Sequence, residues 1–280
     1  MKISVITFLV FLIICKVQSQ PNSQDLQRTG FESKDSKGVY GGVNNIRVPN
    51  AKILNSFSED MIAVEGGIFL MGCNNKYGIS CREDEKPAHK VTLSSFKISK
   101  YEITRGQWRA VMGVSPYIFK GCDQCAVENV SWNDLQKFLT NLNNQTGRRF
   151  RLPTESEWEY AARGGNKSQG YQYSGSNDLR IIAWYRGNSK KAKPVGQKRP
   201  NELGLYDMTG NVSEWCSDWY SEKYYEKGPE KDPQGPETGK FRVIRGGSWL
   251  FDINDLFVSN RDKSELGLRH YDGGFRLVEY

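Results

Sequence analysis

The chain has 280 residues, of which 38% are hydrophobic and 25% are charged, as is typical of a folded globular protein rather than a disordered or fibrous one. The formal net charge is +7, and we interpret the basic residues as scattered, with clusters only at Lys190-Lys191 and Arg148-Arg149. Because nucleic-acid binding requires a basic stripe on one face, this pattern argues against a nucleic-acid partner.

The first 19 residues have the pattern of a secretory signal peptide. An apolar run extends from Ile3 to Cys15, and Ser19 marks the expected cleavage position. The run is shorter than the roughly 20 residues that span a bilayer, so no transmembrane segment is expected after cleavage. Lipid attachment at Cys15 is a minor alternative, because Ile14 stands where a small residue is required. We expect the mature protein to be secreted, periplasmic or on the outer surface.

Residues 20–58 are polar and rich in Gly, Ser and Asn, which predicts a flexible leader. The folded domain is expected over residues 59–280. Its first segments, MIAVEGGIFLMG from Met61 and HKVTLSSFKISKYEIT from His89, alternate apolar and polar residues, as half-buried strands do.

Five cysteines follow the signal segment, and four of them form two closely spaced pairs. In an oxidising compartment, Cys73 with Cys81 and Cys122 with Cys125 are the natural short-loop disulfides. A redox or zinc role for the Cys-x-x-Cys pair is the alternative, but the whole chain contains only two histidines as further zinc ligands. Cys216 is interpreted as a small buried hydrophobic residue.

Three helices are predicted from their caps. Thr104 precedes RGQWRAVM, Ser131 precedes WNDLQKFLTNLN, and Thr154 precedes ESEWEYAAR with Glu157 completing a capping box. Large apolar residues of these helices, such as Trp132 and Trp158, are assigned to the core. After residue 165 the chain is rich in Gly, Asn, Asp and aromatic residues, which predicts long loops, with short strands at RVIRGG and FRLVEY.

Four motifs carry a family resemblance: RLPTESEWEYAARGG, GLYDMTGNVSEWCSDWY, RVIRGGSW and the terminal GGFRLVEY. In order and content they resemble the formylglycine-generating enzyme, or sulfatase-modifying factor, domain family over roughly residues 60 to 280. The resemblance implies an α+β class with that family's irregular fold, related to C-type lectin domains and low in regular secondary structure.

The turn from Asp207 to Glu214 is a candidate calcium site. It places two carboxylates around a glycine and an asparagine, and Ca²⁺ prefers such oxygen ligands. The resemblance implies that one calcium ion is held by the Asp207 side chain, the carbonyls of Gly210 and Val212, and Glu214. A polar hydrogen-bonded turn without metal is the alternative.

The Gly-Gly-Ser turn that ends at Ser248 corresponds to a degenerate catalytic site. In the catalytic members, cysteines three and eight positions after this serine bind copper(I), but here those positions are Phe251 and Leu256. Neither side chain can coordinate Cu(I), which requires soft ligands, so we expect no copper site. A Ser248 nucleophile with His270 as base has no supporting motif, and we expect Ser248 to cap the turn.

We therefore predict a secreted, non-catalytic member of the family that acts in binding or assembly at the cell envelope, with a protein or a glycan as partner. A copper-dependent oxidase with relocated thiol ligands and a calcium-containing, lectin-like glycan binder are the alternatives. Candidate binding residues are Trp184, Tyr185, Trp249 and His270, of which the aromatic side chains could stack on sugars or anchor a partner.

Overall fold

Helices and short strands alternate along the domain, and the second half is mostly loops. The computed structural model describes residues 51–74, 80–116 and 121–280. The helices are Ala51–Glu59 (α1), Arg105–Met112 (α2), Trp132–Thr146 (α3), Glu155–Ala162 (α4), Leu179–Ile182 (α5) and Tyr224–Lys227 (α6). The strands are Met61–Val64 (β1), Gly67–Met71 (β2), His89–Leu93 (β3), Phe96–Ser99 (β4), Phe150–Arg151 (β5), Ser213–Trp219 (β6), Phe241–Arg245 (β7), Arg261–Glu265 (β8), Gly273–Gly274 (β9) and Val278–Glu279 (β10).

The three capped helices begin at the predicted residues. In α2, the Thr104 hydroxyl accepts a hydrogen bond from the backbone N–H of Gln107, whose side chain accepts one from the Thr104 N–H. Ser131 and Thr154 form the same reciprocal capping box at α3 and α4. Each box satisfies two backbone N–H groups that the first helical turn leaves without partners. The predicted starts of these helices are confirmed.

The described strands form three small sheets. The first has the order β1-β4-β10-β5 and the second is the antiparallel pair β2-β3. The third has the order β8-β7-β6-β9, in which β6 and β9 are parallel. The last strand, β10, lies between β4 and β5, so the C-terminal motif is part of the same sheet as β1.

Two apolar clusters form the core. One packs around α3, whose apolar residues Trp132, Leu135, Phe138, Leu139 and Leu142 are buried. The other packs around α4 and includes Trp158, which is fully buried. The predicted core assignment of Trp132 and Trp158 is therefore confirmed.

The predicted leader ends too late. Residues 51–59 form the helix α1, in which Phe57 is 2% exposed and its ring lies 6.2 Å from the ring of Phe138. One face of this helix carries Ile53, Leu54 and Phe57. Because polar residues surround these three, the sequence gives only a weak signal of an amphipathic helix. The folded domain thus begins before Met61, whereas residues 1–50, with the expected signal peptide and Cys15, lie outside the described residues.

Both predicted disulfides are present. Cys73 is bonded to Cys81 and Cys122 to Cys125, with Cα–Cα distances of 5.7 and 5.4 Å. Cys216 is a free thiol and fully buried, as expected. Within the described ranges no helix is long and apolar enough to cross a bilayer.

Candidate functional site

The Gly-Gly-Ser turn after β7 is held by hydrogen bonds rather than open to solvent. Gly246 and Gly247 have φ values of 90° and 64°, a left-handed backbone that glycine adopts most readily. Ser248 is fully buried, donates to the Asp272 carboxylate at 2.6 Å and accepts from the backbone N–H of Leu250 at 3.1 Å. Ser248 therefore caps the turn, as expected from the sequence.

The positions that bind copper in catalytic relatives are packed in an apolar cluster. Leu256 is 1% exposed and belongs to a cluster with Tyr173, Leu179, Ile182 and Ala183, against which half-buried Phe251 packs. A Cβ added to Gly247 would lie 2.5 Å from a methyl group of Leu256, so the turn and the cluster fit closely. The cavity beside this turn is only about 30 Å³, roughly the volume of one water molecule.

The cysteines do not rebuild a thiolate pair elsewhere. Cys122 and Cys125 are bonded to each other, and Cys216 is buried with a pKa that burial raises well above the ordinary value. Cys73, Cys81 and Glu85 lie within ligand distance of one another in the described chain, but the two sulfurs form a disulfide and offer no thiolate. A copper site with relocated ligands is therefore not assembled among these residues.

His270 contacts Ser264 and Trp215 rather than Ser248. Its Nε2 lies 2.5 Å from the Ser264 hydroxyl, and its ring centroid lies 6.2 Å from that of Trp215. Ser248 is instead bonded to Asp272. His270 thus contacts Ser264 and not Ser248, so the structure does not bring together the Ser248–His270 pair that a triad at this turn would require.

The acidic turn lies between a loop and the start of β6. Asp207 and Asn211 have positive φ values of 56° and 59°, and Gly210 has 79°, so the backbone winds tightly through the turn. A Cβ added to Gly210 would lie 2.3 Å from the Trp184 carbonyl oxygen, which explains why glycine stands there. Glu214 follows in β6 and is 1% exposed.

A cluster of buried carboxylates surrounds one arginine at this turn. Arg276 donates from Nε to Oε2 of Glu214 and from Nη2 to Oε1, both at 2.7 Å, and the Trp158 indole donates to Oε2 at 2.8 Å. Burial, followed by the nearby charges of Asp207 and Glu214, raises the pKa of Glu102 well above its ordinary value. Burial also raises the pKa of Asp207 to about 6. Arg276 thus pairs directly with Glu214, while Asp207 and Glu102 lie near enough to influence this pair electrostatically.

One carboxylate oxygen of the turn lacks a hydrogen-bond partner, and this observation bears on the predicted calcium site. Oδ2 of Asp207 accepts a hydrogen bond from the Gly196 N–H, but the buried Oδ1 has no hydrogen-bond partner among the described residues. Such an orphan acceptor is costly unless a cation or water occupies it. The Asp207 Oδ1 is a hard oxygen of the kind that Ca²⁺ prefers, whereas both Glu214 oxygens already accept hydrogen bonds from Arg276 and Trp158. Glu214 is shared with Arg276, a contact that sequence analysis missed.

The predicted aromatic binding residues do not form an open platform. Trp249 is 8% exposed and lies 6.0 Å from the more exposed Tyr271 ring, measured between centroids. The half-exposed Trp184 ring is covered by Lys198, whose Nζ lies 4.1 Å from its centroid. Tyr185 is half-buried against the cluster that contains Leu256. Stacking on sugars by Trp184 and Trp249 is therefore not supported by their packing.

Residues 49–280 match the model of the sulfatase-modifying factor enzyme 1-like domain. The chain belongs to this family. The resemblance seen in the sequence motifs is thus confirmed, together with the mixed, irregular fold that it implied.

Relatives in the sulfatase-modifying factor family differ in their named activities. The chain is 36% identical over 274 residues to the chaperone protein LppX of Paenibacillus barcinonensis, covering 79% of this chain and 89% of the relative. It is 40% identical over 158 residues to the formylglycine-generating enzyme of Streptomyces coelicolor, covering 51% and 48%. The solved structure of Treponema denticola variable protein 1 superimposes with a TM-score of 0.70 at 31% identity, covering 78% and 94%. Membership of the family therefore does not decide between enzyme and binding protein.

Proposed function

We propose that the protein is a non-catalytic member of the sulfatase-modifying factor family that binds another protein at the cell envelope. The observation that carries the proposal is the apolar cluster at the copper positions, where buried Leu256 and half-buried Phe251 stand in place of thiolates. A soft-metal site cannot form without soft ligands.

Two further observations support a protein partner outside the cytoplasm. The Cys73–Cys81 and Cys122–Cys125 disulfides are typical of oxidising compartments. The relative from Paenibacillus barcinonensis is named a chaperone, which is a protein that acts on other proteins. Secretion through the signal segment and residence at the envelope complete this proposal.

A peptide-oxidation assay tests the lack of catalysis. We expect no aldehyde when the purified protein is incubated with copper(I), oxygen and a peptide that contains Cys-x-Pro-x-Arg, because the described residues offer copper no thiolate pair. The measurement is the mass of the peptide after derivatisation of aldehydes, with a catalytic relative as positive control. Aldehyde formation above the level of a copper-only blank would overturn the proposal and favour the oxidase alternative.

We also propose that one calcium ion binds at Asp207, Gly210, Val212 and Glu214 in a structural role. Its support is the orphan Oδ1 of Asp207 within a cluster of three carboxylates and one arginine. When bound, the ion would neutralise the surplus negative charge and tie the turn to β6. The protein groups supply only oxygen ligands, so no redox chemistry is implied.

Thermal unfolding with and without Ca²⁺ tests this site. A ligand selective for the folded state stabilises by RT ln(1 + [L]/Kd), or about 2.7 kcal/mol at 100 times Kd, so Ca²⁺ should raise the melting temperature. Asp207→Asn should abolish the rise while leaving the Glu214–Arg276 pair intact. Glu214→Ala is a poorer variant, because it leaves buried Arg276 without its carboxylate. A calcium response that persists in Asp207→Asn would place the ion elsewhere.

A further inference from the structure

The segment from residue 180 to 199 carries an unusual concentration of charge. It contains seven lysines and arginines and no acidic residue, and this equals the formal net charge of +7 for the whole chain. All other residues together therefore sum to zero formal charge. Although these cations are spaced along 20 residues of sequence, the segment alone accounts for the basic character of the protein.

The fold brings the two ends of this segment together. The Arg199 N–H donates to the Ile181 carbonyl at 3.0 Å, and Lys198 Nζ donates to the Arg180 carbonyl at 2.6 Å, so the two ends of the segment lie side by side. Between them, the ammonium groups of Lys193 and Lys198 lie 5.2 and 4.1 Å from the centroid of the Trp184 ring. The interpretation of the basic residues as scattered was therefore wrong for this segment.

Most of these charges have no partner ion. Arg180 pairs with Asp178 at 2.8 Å and Arg186 with Asp252 at 2.7 Å. The remaining five form no ion pair with a carboxylate in the described ranges, although Lys198 lies near enough to Asp207 to lower its pKa; they are Lys190, Lys191, Lys193, Lys198 and Arg199. We call the surface of residues 180–199 the basic surface. Its uncompensated charge creates a field that attracts anionic partners.

Aliphatic side chains border the basic surface. The backbone N–H of Arg186 donates to the Phe251 carbonyl at 3.1 Å and its Nε donates to the Leu250 carbonyl at 2.9 Å, which joins the surface to the loop after Ser248. In this region Ile181 is 42% exposed and Ile253 is 50% exposed. Single exposed aliphatic side chains are ordinary on protein surfaces. Two of them next to a positively charged surface provide apolar contacts for a negatively charged partner.

We infer that the basic surface binds an acidic segment of a protein partner, one that carries aliphatic side chains between its carboxylates. The aliphatic borders favour a peptide over an anionic polysaccharide, because sugars stack on aromatic rings and the Trp184 ring is covered by Lys198. Four of the five unpaired cations are lysines, which act as point charges and suit a flexible acidic chain. The inference rests on the proposed protein-binding function and names the chemistry of the partner.

A fluorescence-anisotropy titration tests the basic surface with the full-length mature protein. The probe is a fluorescein-labelled decapeptide, Glu-Leu-Glu-Glu-Leu-Glu-Glu-Leu-Glu-Glu. We expect saturable binding that weakens about tenfold or more when NaCl rises from about 50 mM to about 300 mM, because salt screens exposed charges. The Lys190→Glu/Lys191→Glu variant should weaken binding about tenfold, since both lysines are exposed and belong to the surface.

Lys137→Glu/Lys167→Glu is the matched control, because it makes the same change in net charge at two exposed lysines of other elements. Its affinity should stay within about twofold of the unmodified protein at equal melting temperature. If the control variant lost as much affinity for the peptide, the effect would come from overall net charge and not from the basic surface, and the inference would be overturned. So would equal binding of the peptide with Gln in place of Glu, or binding of polygalacturonate without binding of the peptide. None of these outcomes depends on the peptide-oxidation assay, so the two proposals can fail separately.

Discussion

Replacing Arg245 with methionine is expected to lower the free energy of unfolding by about 3–5 kcal/mol, because it breaks a buried ion-pair network. Arg245 is 1% exposed and pairs with Glu159, while Nη1 and Nη2 also donate to the carbonyls of Val258, Ser259 and Asn260. Burial alone would raise the pKa of Glu159, but Arg163 and Arg245 outweigh it and hold that pKa below its ordinary value. Without Arg245, Glu159 keeps its charge with weaker compensation, and three carbonyls lose a donor.

Arg180→Met is the control for this substitution. The Arg180 side chain is 80% exposed and pairs with Asp178, and such exposed pairs contribute little to stability because water and salt screen them. The measurement is urea unfolding with both disulfides intact, compared at equal m-value. If the two variants lost similar amounts of unfolding free energy, the buried network would not contribute more to stability than the exposed pair, contrary to the prediction.

The double variant Arg245→Met/Glu159→Gln refines the test. Removing both charges should cost less than the sum of the two single substitutions, because each single change leaves the other group without its main partner. The double-mutant cycle then reports a coupling energy of about 1–3 kcal/mol. Strict additivity would mean that Arg245 stabilises the fold through its carbonyl contacts alone.

The helix starts could be predicted because their determinants are local. Thr104 and Gln107 are three residues apart, so both residues of the capping box can be recognised within four consecutive positions of the sequence. The helix α1 was missed because a single short apolar face in polar surroundings gives a weak periodic signal. Its burial depends on Phe138 and Phe150, which come about ninety residues later in the chain.

At the candidate sites, too, local chemistry could be predicted from the sequence, but contacts between distant residues could not. Phe251 and Leu256 were predicted to exclude copper from their chemistry alone, and the structure adds that they pack together. Glu214 lies in β6 and Arg276 lies between β9 and β10, so nothing near Glu214 in sequence indicates their pairing. The basic surface was detectable in sequence as a run of 20 residues without an acid, but its adjacency depends on the folding of residues 180–199.

Raising the pH from 5 to 8 is expected to destabilise the protein, and Asp218 is one cause, alongside buried Glu102, whose pKa burial also raises. Burial, followed by repulsion from Glu155, raises the pKa of Asp218 from 3.8 to about 7. Its Oδ2 accepts hydrogen bonds from the Glu155 N–H at 2.9 Å and from the Ser217 hydroxyl at 3.0 Å, which do not offset the burial. The folded protein therefore holds a proton that the unfolded chain has already released.

The sign and size of this effect follow from proton linkage. Because the folded state binds more protons between the two pKa values, the contribution to stability is complete at low pH and is lost as the pH rises through about 7. For one group shifted this far, the loss between about pH 5 and about pH 8 is about 2–3 kcal/mol. Asp207, with a pKa raised to about 6 by burial, adds a smaller loss in the lower part of the range.

Asp218→Asn should flatten the fall in stability, because asparagine does not titrate and its carbonyl can accept both hydrogen bonds. The free energy of unfolding is measured by urea at several pH values, in chelator and in excess Ca²⁺, so that metal occupancy is constant in each series. Asp178→Asn is the control: Arg180 holds the pKa of Asp178 at about 2, below the range, so this variant should keep the full slope. An unchanged slope in Asp218→Asn would show that Asp218 stays ionised, with the helix α4 N-terminus compensating its charge.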